Sequence, residues 1–290
     1  MSLQLEPAPR PAGGRDADDD VAPSLAGYPS HRAHLPTKTA DAGRYRVRFA
    51  QDDQDLDRIL RLRFEVFNLE LGEGLDASFA TRRDRDRFDG CCHHLLVEDR
   101  HTGEMVGTYR VQTTEMARRG EGLYAAGEFD LGALPEGILD DAIEAGRACI
   151  RRDHRNRQVL FLLWRGLAIY VQATGKRYFF GCSSLTSQNP EEGARLYSQL
   201  EADGLVRQDF TVPPLPDLRC EPRAAGGTGD PPEAAPPVEL PALFRTYLRY
   251  GAKVCSPPAI DRDFKTIDFL VLLDTLELSE RSRRLFFDGG

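Results

Sequence analysis

Four charged residues of this chain stand among apolar neighbours, and two more lie in a polar segment that runs directly into a strand. Arg63 lies in LRFEVF, Asp86 and Asp89 in RRDRDRFD, Arg110 near the end of MVGTYRVQT, and Glu144 and Arg147 in AIEAGRACI. Glu144 and Arg147 suit a buried strand with two inward polar groups. For Arg63 the alternative is an arginine whose stem packs while its head reaches water. A different chemistry is offered by Arg151, Arg152, Arg155 and Arg157, which crowd with His154 into a loop ahead of an apolar run, Val159 to Thr174. Unpaired backbone N–H groups and the positive end of a helix dipole favour an anion there, and a phosphate on a long thiol arm is the obvious candidate. The competing reading is a solvated cationic face. Cys91, Cys92, His93 and His94 are adjacent, and successive strand residues point oppositely, so they form neither a nucleophile triad nor a zinc site, and no metal is expected.

The elements that must position these groups follow from periodicity. YRVRFAQ, from Tyr45, alternates as a half-buried strand. A helix capped near Asp52 or Asp53 follows, with Leu56, Ile59, Leu60, Arg63, Phe64 and Phe67 at mainly three- and four-residue spacing. His94 to Val111 reads as a hairpin turning at His101 to Gly103. Ala142 to Ile150 is a strand, and Val159 to Thr174 a helix apolar nearly all round. KRYFFGCSSL is a strand, NPEEGARLYSQL a helix, Leu243 to Val254 a helix, and Thr266 to Asp274 a strand or apolar cover.

The chain has 290 residues, 41% hydrophobic and 29% charged, with a net charge of −8, which makes nucleic acid an unsuitable partner. The longest apolar run, Val159 to Val171, is broken by Arg165, so no membrane span is expected. The N-terminus lacks the pattern of a secretory signal, which points to the cytoplasm, and six cysteines without a C-x-x-C pattern agree with reduced thiols. Composition divides the chain into a disordered tail, residues 1–44, a folded core, 45–210, a Pro/Gly-rich loop, 211–241, and a C-terminal segment packing on the core, 242–290.

The order LR-x-x-VF, a D-x-x-D pair before a strand ending in HLLV, then VGTYR and E-x-G-R, resembles the acyl-chain-transferring branch of the GNAT superfamily. The nearer likeness is to bacterial ornithine N-acyltransferases, which open ornithine-lipid synthesis; the more distant is to acyl-homoserine-lactone synthases. It covers roughly Tyr45 to Leu200, and FRTYLRYGAKV…FKTIDFLVLLD is similar to the end of the ornithine enzymes. The resemblance implies an α/β (α+β) fold: a mixed, mostly antiparallel sheet wrapped by helices and splayed where a thioester arm enters. It implies a network of Arg63, Asp86, Asp89, Arg110, Glu144 and Arg147 beside the reaction centre. Glu144 is then the base, or else orients Arg147. Arg110 or Arg63 binds the acceptor carboxylate, and Asp86 and Asp89 fix those arginines or hold a distal ammonium. Glu144 and Arg147 are three apart, so both serve one site only across a bulge, for which Gly146 is the plausible place; an N–H near Gly146 to Ala148 would meet the oxyanion. An N-x-x-A-x-x-LY-like pattern offers Tyr197 as acid for the leaving thiolate, with packing as the alternative.

The loop RRDHRNRQ has no glycine to admit a pyrophosphate. Acyl carrier protein, with one phosphodiester, therefore fits better than coenzyme A, and no permanently bound cofactor is expected. Between Arg151 and Arg177 seven basic residues face one acid, a patch of about +6 suited to an acidic carrier. The resulting expectation is an N-acyltransferase moving a 3-hydroxy fatty acyl chain from acyl carrier protein to the α-amine of ornithine, in the cytoplasm or peripheral on the inner face of the plasma membrane. The other readings are a coenzyme A-dependent N-acetyltransferase and a non-catalytic acyl-binding module.

Overall fold

The computed structural model describes residues 27–221 and 236–288. Its strands and α-helices run β1 (Ala40–Ala42), β2 (Tyr45–Phe49), α1 (Asp53–Arg63), α2 (Ser78–Thr81), β3 (His93–Asp99), β4 (Met105–Thr113), α3 (Thr114–Arg119), β5 (Ala142–Ile150), α4 (Arg157–Thr174), β6 (Tyr178–Leu185), α5 (Pro190–Ala202), α6 (Ala242–Arg249), β7 (Lys253–Val254), β8 (Ala259–Asp261), β9 (Thr266–Asp274) and α7 (Glu280–Arg283). The strands form one sheet in the order β1-β2-β3-β4-β5-β6-β9-β7, with β8 also on β9. Only the β5–β6 pair is parallel. This is the mixed, mostly antiparallel, helix-wrapped sheet that the resemblance implies.

Helix α1 starts where Asp52 accepts the Asp55 N–H at 2.9 Å and buries Leu56, Ile59 and Leu60. Its continuation, Phe64–Glu70, widens to a π-helix, which delivers Phe67 and the following Leu71 and Glu73 to the central cavity. Helix α4 lies across β2 and β3. Gly166 lets it close in: a Cβ there would stand 3.0 Å from Val47 and 3.2 Å from Leu95, so only glycine permits this approach without a shift.

Two departures create the opening at the centre of the sheet. Strands β5 and β6 pair only from Ala142↔Tyr178 to Glu144↔Phe180, after which β5 stays with β4 and β6 with β9. At the point of divergence a Cβ on Gly181 would fall 2.1 Å from the Ala145 carbonyl oxygen, so that strand position requires glycine. On the other side, Thr108 faces Cys149 and Arg110 faces Gly146; Tyr109 thus opposes both Arg147 and Ala148, a β-bulge. The left-handed residue is Arg147, φ 50°, next to the expected Gly146.

Three boundaries are corrected. Residues 27–44, assigned to a disordered tail, pack on the core: Tyr28 is buried against Leu56 and Ile59, its hydroxyl lies 3.1 Å from His94 Nδ1, and β1 pairs with β2. The rest of that tail, 1–26, lies outside the described residues. In the Pro/Gly-rich loop Val212 is buried and Pro214 bridges to Phe129, while 222–235 lies outside the described residues. The C-terminal segment does more than pack on the core, because β9 pairs with β6 from Tyr178↔Asp274 to Leu185↔Ile267 and with β7 and β8 on its other side, an interior strand of the sheet.

Candidate functional site

The separation of β5 from β6 opens a cavity of about 320 Å³, at the lower end of the roughly 300–1,000 Å³ usual for small-molecule sites. Glu144, Arg147, Arg110 and Asp268 supply charge to its wall, while Trp164, Leu167, Phe244, Val271 and Leu273 make an apolar lining drawn from α4, α6 and β9.

Glu144 is buried. Its Oε2 accepts Gln112 Nε2 at 2.7 Å and the Tyr124 N–H at 3.0 Å, and its Oε1 accepts the Ala125 N–H at 2.8 Å. Burial raises its pKa, and the three donors offset only part of that rise. A carboxylate offers about four acceptor positions, so this one retains capacity for a further donor. The alternative role of orienting Arg147 does not hold, because Arg147 pairs with Asp84 instead.

Arg63 is fully buried and donates to Asp84 at 2.7 Å and to Asp89 at 2.6 and 3.3 Å. Its head is neither in water nor at the cavity. Arg110 Nη1 meets Asp86 at 2.6 Å and Asp89 at 3.0 Å, and His94 Nε2 stands 3.3 Å from Asp89. Burial alone would raise the Asp89 carboxyl, but Arg63 and Arg110 outweigh it and hold it well below the usual range. Asp84 behaves alike between Arg147 and Arg63. Asp86 and Asp89 are thus committed to arginines and, unlike the expected ammonium site, do not line the cavity. Sequence reasoning passed over Asp84, which is completely buried and joins Arg63 to Arg147; in an arginine-rich segment it looked like any solvated acid. Arg147 lies between the Phe67 and Phe264 rings, 4.6 and 4.3 Å from their centroids, and its buried Nε has no partner.

The cationic loop is less free than its composition suggests. Arg151 pairs with Asp153 and Glu104, and Arg155 makes a two-pronged pair with Glu70 at 2.7 and 2.8 Å. Arg152 and Arg157 are exposed. Asn156 caps α4 by accepting the Gln158 and Val159 N–H groups at 3.0 and 3.1 Å, so much of the helix terminus is already occupied. The +6 patch is corrected as well: Arg165 is buried and donates to the Phe286 carbonyl, Lys176 pairs with Glu115 and Arg177 with Asp274. Tyr197 is half-buried against the main core and absent from the cavity lining.

A second polar cluster was not read from sequence at all. Carboxylate oxygens of Glu128, Asp261 and Asp268 lie within 4.8 Å of one another. Asp268 opens onto the cavity. Glu128 lies over a hundred residues before the other two, and nothing in either segment announces their meeting.

A sheet splayed beside a buried carboxylate, with a bulge facing the gap, defines an acyltransferase of the GNAT class, and residues 62–165 match the family described as "Acetyltransferase (GNAT) domain". The chain belongs to the L-ornithine N(alpha)-acyltransferase family. It is 33% identical over 248 residues to the "L-ornithine N(alpha)-acyltransferase" of Rhizobium meliloti (strain 1021), covering 81% of each chain. To that of Agrobacterium fabrum (strain C58 / ATCC 33970) it is 31% identical over 259 residues, covering 86% of each. Among solved structures, the AHL synthase LasI superposes with a TM-score of 0.45 at 11% identity, covering 84% of this chain and 95% of that one. Among the described residues no helix is long and apolar enough to cross a membrane.

Proposed function

We propose that this chain transfers a fatty acyl chain, 3-hydroxylated, from the thioester of acyl carrier protein to the α-amine of ornithine, giving a lyso-ornithine lipid. The observation that carries the reading is the gap between β5 and β6, with Glu144 on its wall and an apolar lining beyond. The phosphopantetheine arm enters the gap and the acyl chain lies against Trp164, Leu167, Phe244 and Val271.

An α-amine with a pKa of about 8 is mostly protonated at neutral pH. Glu144, with one acceptor position open and a raised pKa, takes that proton. The free amine adds to the thioester carbonyl carbon, and a bulge N–H at Arg147 to Ala148 meets the oxyanion. As the carbon–sulfur bond breaks, the second amine proton leaves with the thiolate, and amide and free thiol result. Arg147, through its unpartnered Nε, takes the acceptor carboxylate; Arg63 and Arg110 hold it in place through Asp84, Asp89 and Asp86. Arg152, Arg155 and Arg157 meet the carrier's phosphodiester. A capped helix terminus and a loop without glycine favour one phosphate held by side chains over a pyrophosphate held by backbone. A lipid product gives reason for peripheral contact with the inner face of the plasma membrane.

The test is thiol release from 3-hydroxyacyl carrier protein with a panel of amino acids, alongside Glu144→Gln. Release that depends on ornithine and falls at least a hundredfold in the variant is the expected result. Release without amine preference would indicate a thioesterase, and release only from acyl-coenzyme A would remove the carrier protein from the reading.

A further inference from the structure

Glu128 is 5% exposed and Asp268 2% exposed. Neither carboxylate oxygen of Glu128 has a hydrogen-bond partner, and Asp268 Oδ1 has none. Asp268 Oδ2 accepts the Thr266 hydroxyl at 3.2 Å. Asp261 takes the Tyr124 hydroxyl at 3.2 Å and the Asp263 and Phe264 N–H groups at 2.8 and 3.0 Å. No arginine, lysine or histidine among the described residues forms an ion pair with any of the three. Buried acids without donors are costly, and their oxygens converge beside the cavity wall that carries Asp268.

We propose that Glu128, Asp268 and Asp261 form the subsite for a second, distal ammonium group of the acceptor amino acid, and so set the enzyme's preference for a diamino acid. The inference rests on the acyl-transfer reading and deepens it. Tyr124 supplies the ruler: its N–H donates to Glu144 and its hydroxyl to Asp261. One tyrosine, with a hydrogen bond of 3.0 Å at its N–H and of 3.2 Å at its hydroxyl, thus links the Glu144 carboxylate to the acidic cluster. The two nitrogens of extended ornithine, five bonds apart, are separated by roughly 6 Å, so its α-amine reaches Glu144 while its side-chain ammonium enters the acidic cluster. An ammonium brings three N–H donors and one positive charge to a cluster that pairs with no base and in which both Glu128 oxygens and Asp268 Oδ1 lack donors. Selectivity follows from the same feature, because an acceptor without the distal amine leaves these acids unpaired in the complex.

Binding of L-ornithine, of L-norvaline, which has the same carbon chain without the distal amine, and of Mg²⁺, Ca²⁺, Mn²⁺ and Zn²⁺ would be measured on the full chain by calorimetry. Glu128→Gln, Asp268→Asn and the more exposed Asp261→Asn follow, with circular dichroism to confirm folding. Ornithine should bind at least tenfold more tightly than norvaline, and each substitution should shrink that ratio. The ratio of kcat/KM for the two acceptors should fall in parallel, mainly through KM for ornithine. Equal affinity for both amino acids, or a divalent ion bound at the cluster while the ornithine preference survives the substitutions, would overturn the assignment. Turnover of every amino acid alike would sink the subsite but leave the acyl-transfer reading standing. Thiol release with no amino acid would remove that reading, and the binding ratios would still decide the subsite.

Discussion

Two groups of buried acids flank the centre of this sheet and are solved in opposite ways. Asp84, Asp86 and Asp89 meet Arg63, Arg110 and Arg147, three acids against three bases, linked by short ion pairs. Glu128, Asp261 and Asp268 meet no base. Water leaves both groups, so both lose hydration; only the first recovers it from within the chain. The first group is a scaffold, its charges paired before any substrate arrives and only the Arg147 Nε left open, that holds the bulged strand against α1. The second has no base within the chain, so its acids hold protons more tightly than usual, and the ammonium proposed above would supply the missing charge.

The comparison can be broken at its strongest point first. Arg63→Met leaves Asp84 and Asp89 short of their common partner and should cost about 3–5 kcal/mol, as loss of one member of a buried pair does. Chemical denaturation reads this directly, and a cost below about 1 kcal/mol would mean that the scaffold is not the tight network described.

The pH dependence of stability should separate the two groups. Asp268 is pushed up to about 6, by burial first and then by Asp261, and Glu128 lies well above its ordinary range for the same reasons. Tyr124 and Cys182 also face this cluster. Groups with raised folded-state pKa values contribute stability below their unfolded values, roughly 4, and lose it as pH rises through the folded values. For Asp268 the loss is at most about 3 kcal/mol. Asp84 and Asp89, held low, contribute stability above roughly pH 4 and lose it as pH falls below that. Stability without acceptor should thus decline from about pH 4 to beyond about 6, and saturating ornithine should flatten that decline; a flat profile without ornithine contradicts the account of the cluster.

Glu128→Gln should stabilise the protein without ligand by about 1–3 kcal/mol, since it removes a buried acid that has no partner. The opposite sign from Arg63→Met is the sharpest form of the comparison, and thermal melts of both variants side by side would expose a shared sign at once. The smallest stability effect belongs to Arg155→Ala. Its pair with Glu70 is partly exposed and should contribute less than about 1 kcal/mol, while KM for acyl carrier protein should rise several-fold. An unchanged KM would remove Arg155 from the donor site.

Much of the scaffold was legible because its signals are local. The alternation in YRVRF, the hairpin around His101 to Gly103, the cap at Asp52 and the apolar helix after Asn156 each depend on neighbours within a few residues. Arg63, Asp86, Asp89 and Arg110 stood out as charges in or beside apolar runs, although their roles did not: whether an arginine in a core stripe reaches water or three acids is decided by what folds over it. The tail boundary was misplaced because Tyr28 packs beside His94, far along the chain, and because β1, though next to β2, has too few apolar residues to announce a strand.

The sequence by itself determined the order of the main strands and helices, the family, and the acids and bases available to a site, because periodicity, capping and motif order are properties of contiguous residues; the short β1, β7 and β8 were missed, and the helix expected over Leu243 to Val254 ends at Arg249. Only the tertiary structure decided which charges cancel. Asp84 joins Arg63, 21 residues before it, to Arg147, 63 residues after it, and Glu128 meets Asp268 with no base to offset either. Electrostatic pairing depends on distance in space and on exclusion of water, and neither is written in the spacing of residues along the chain.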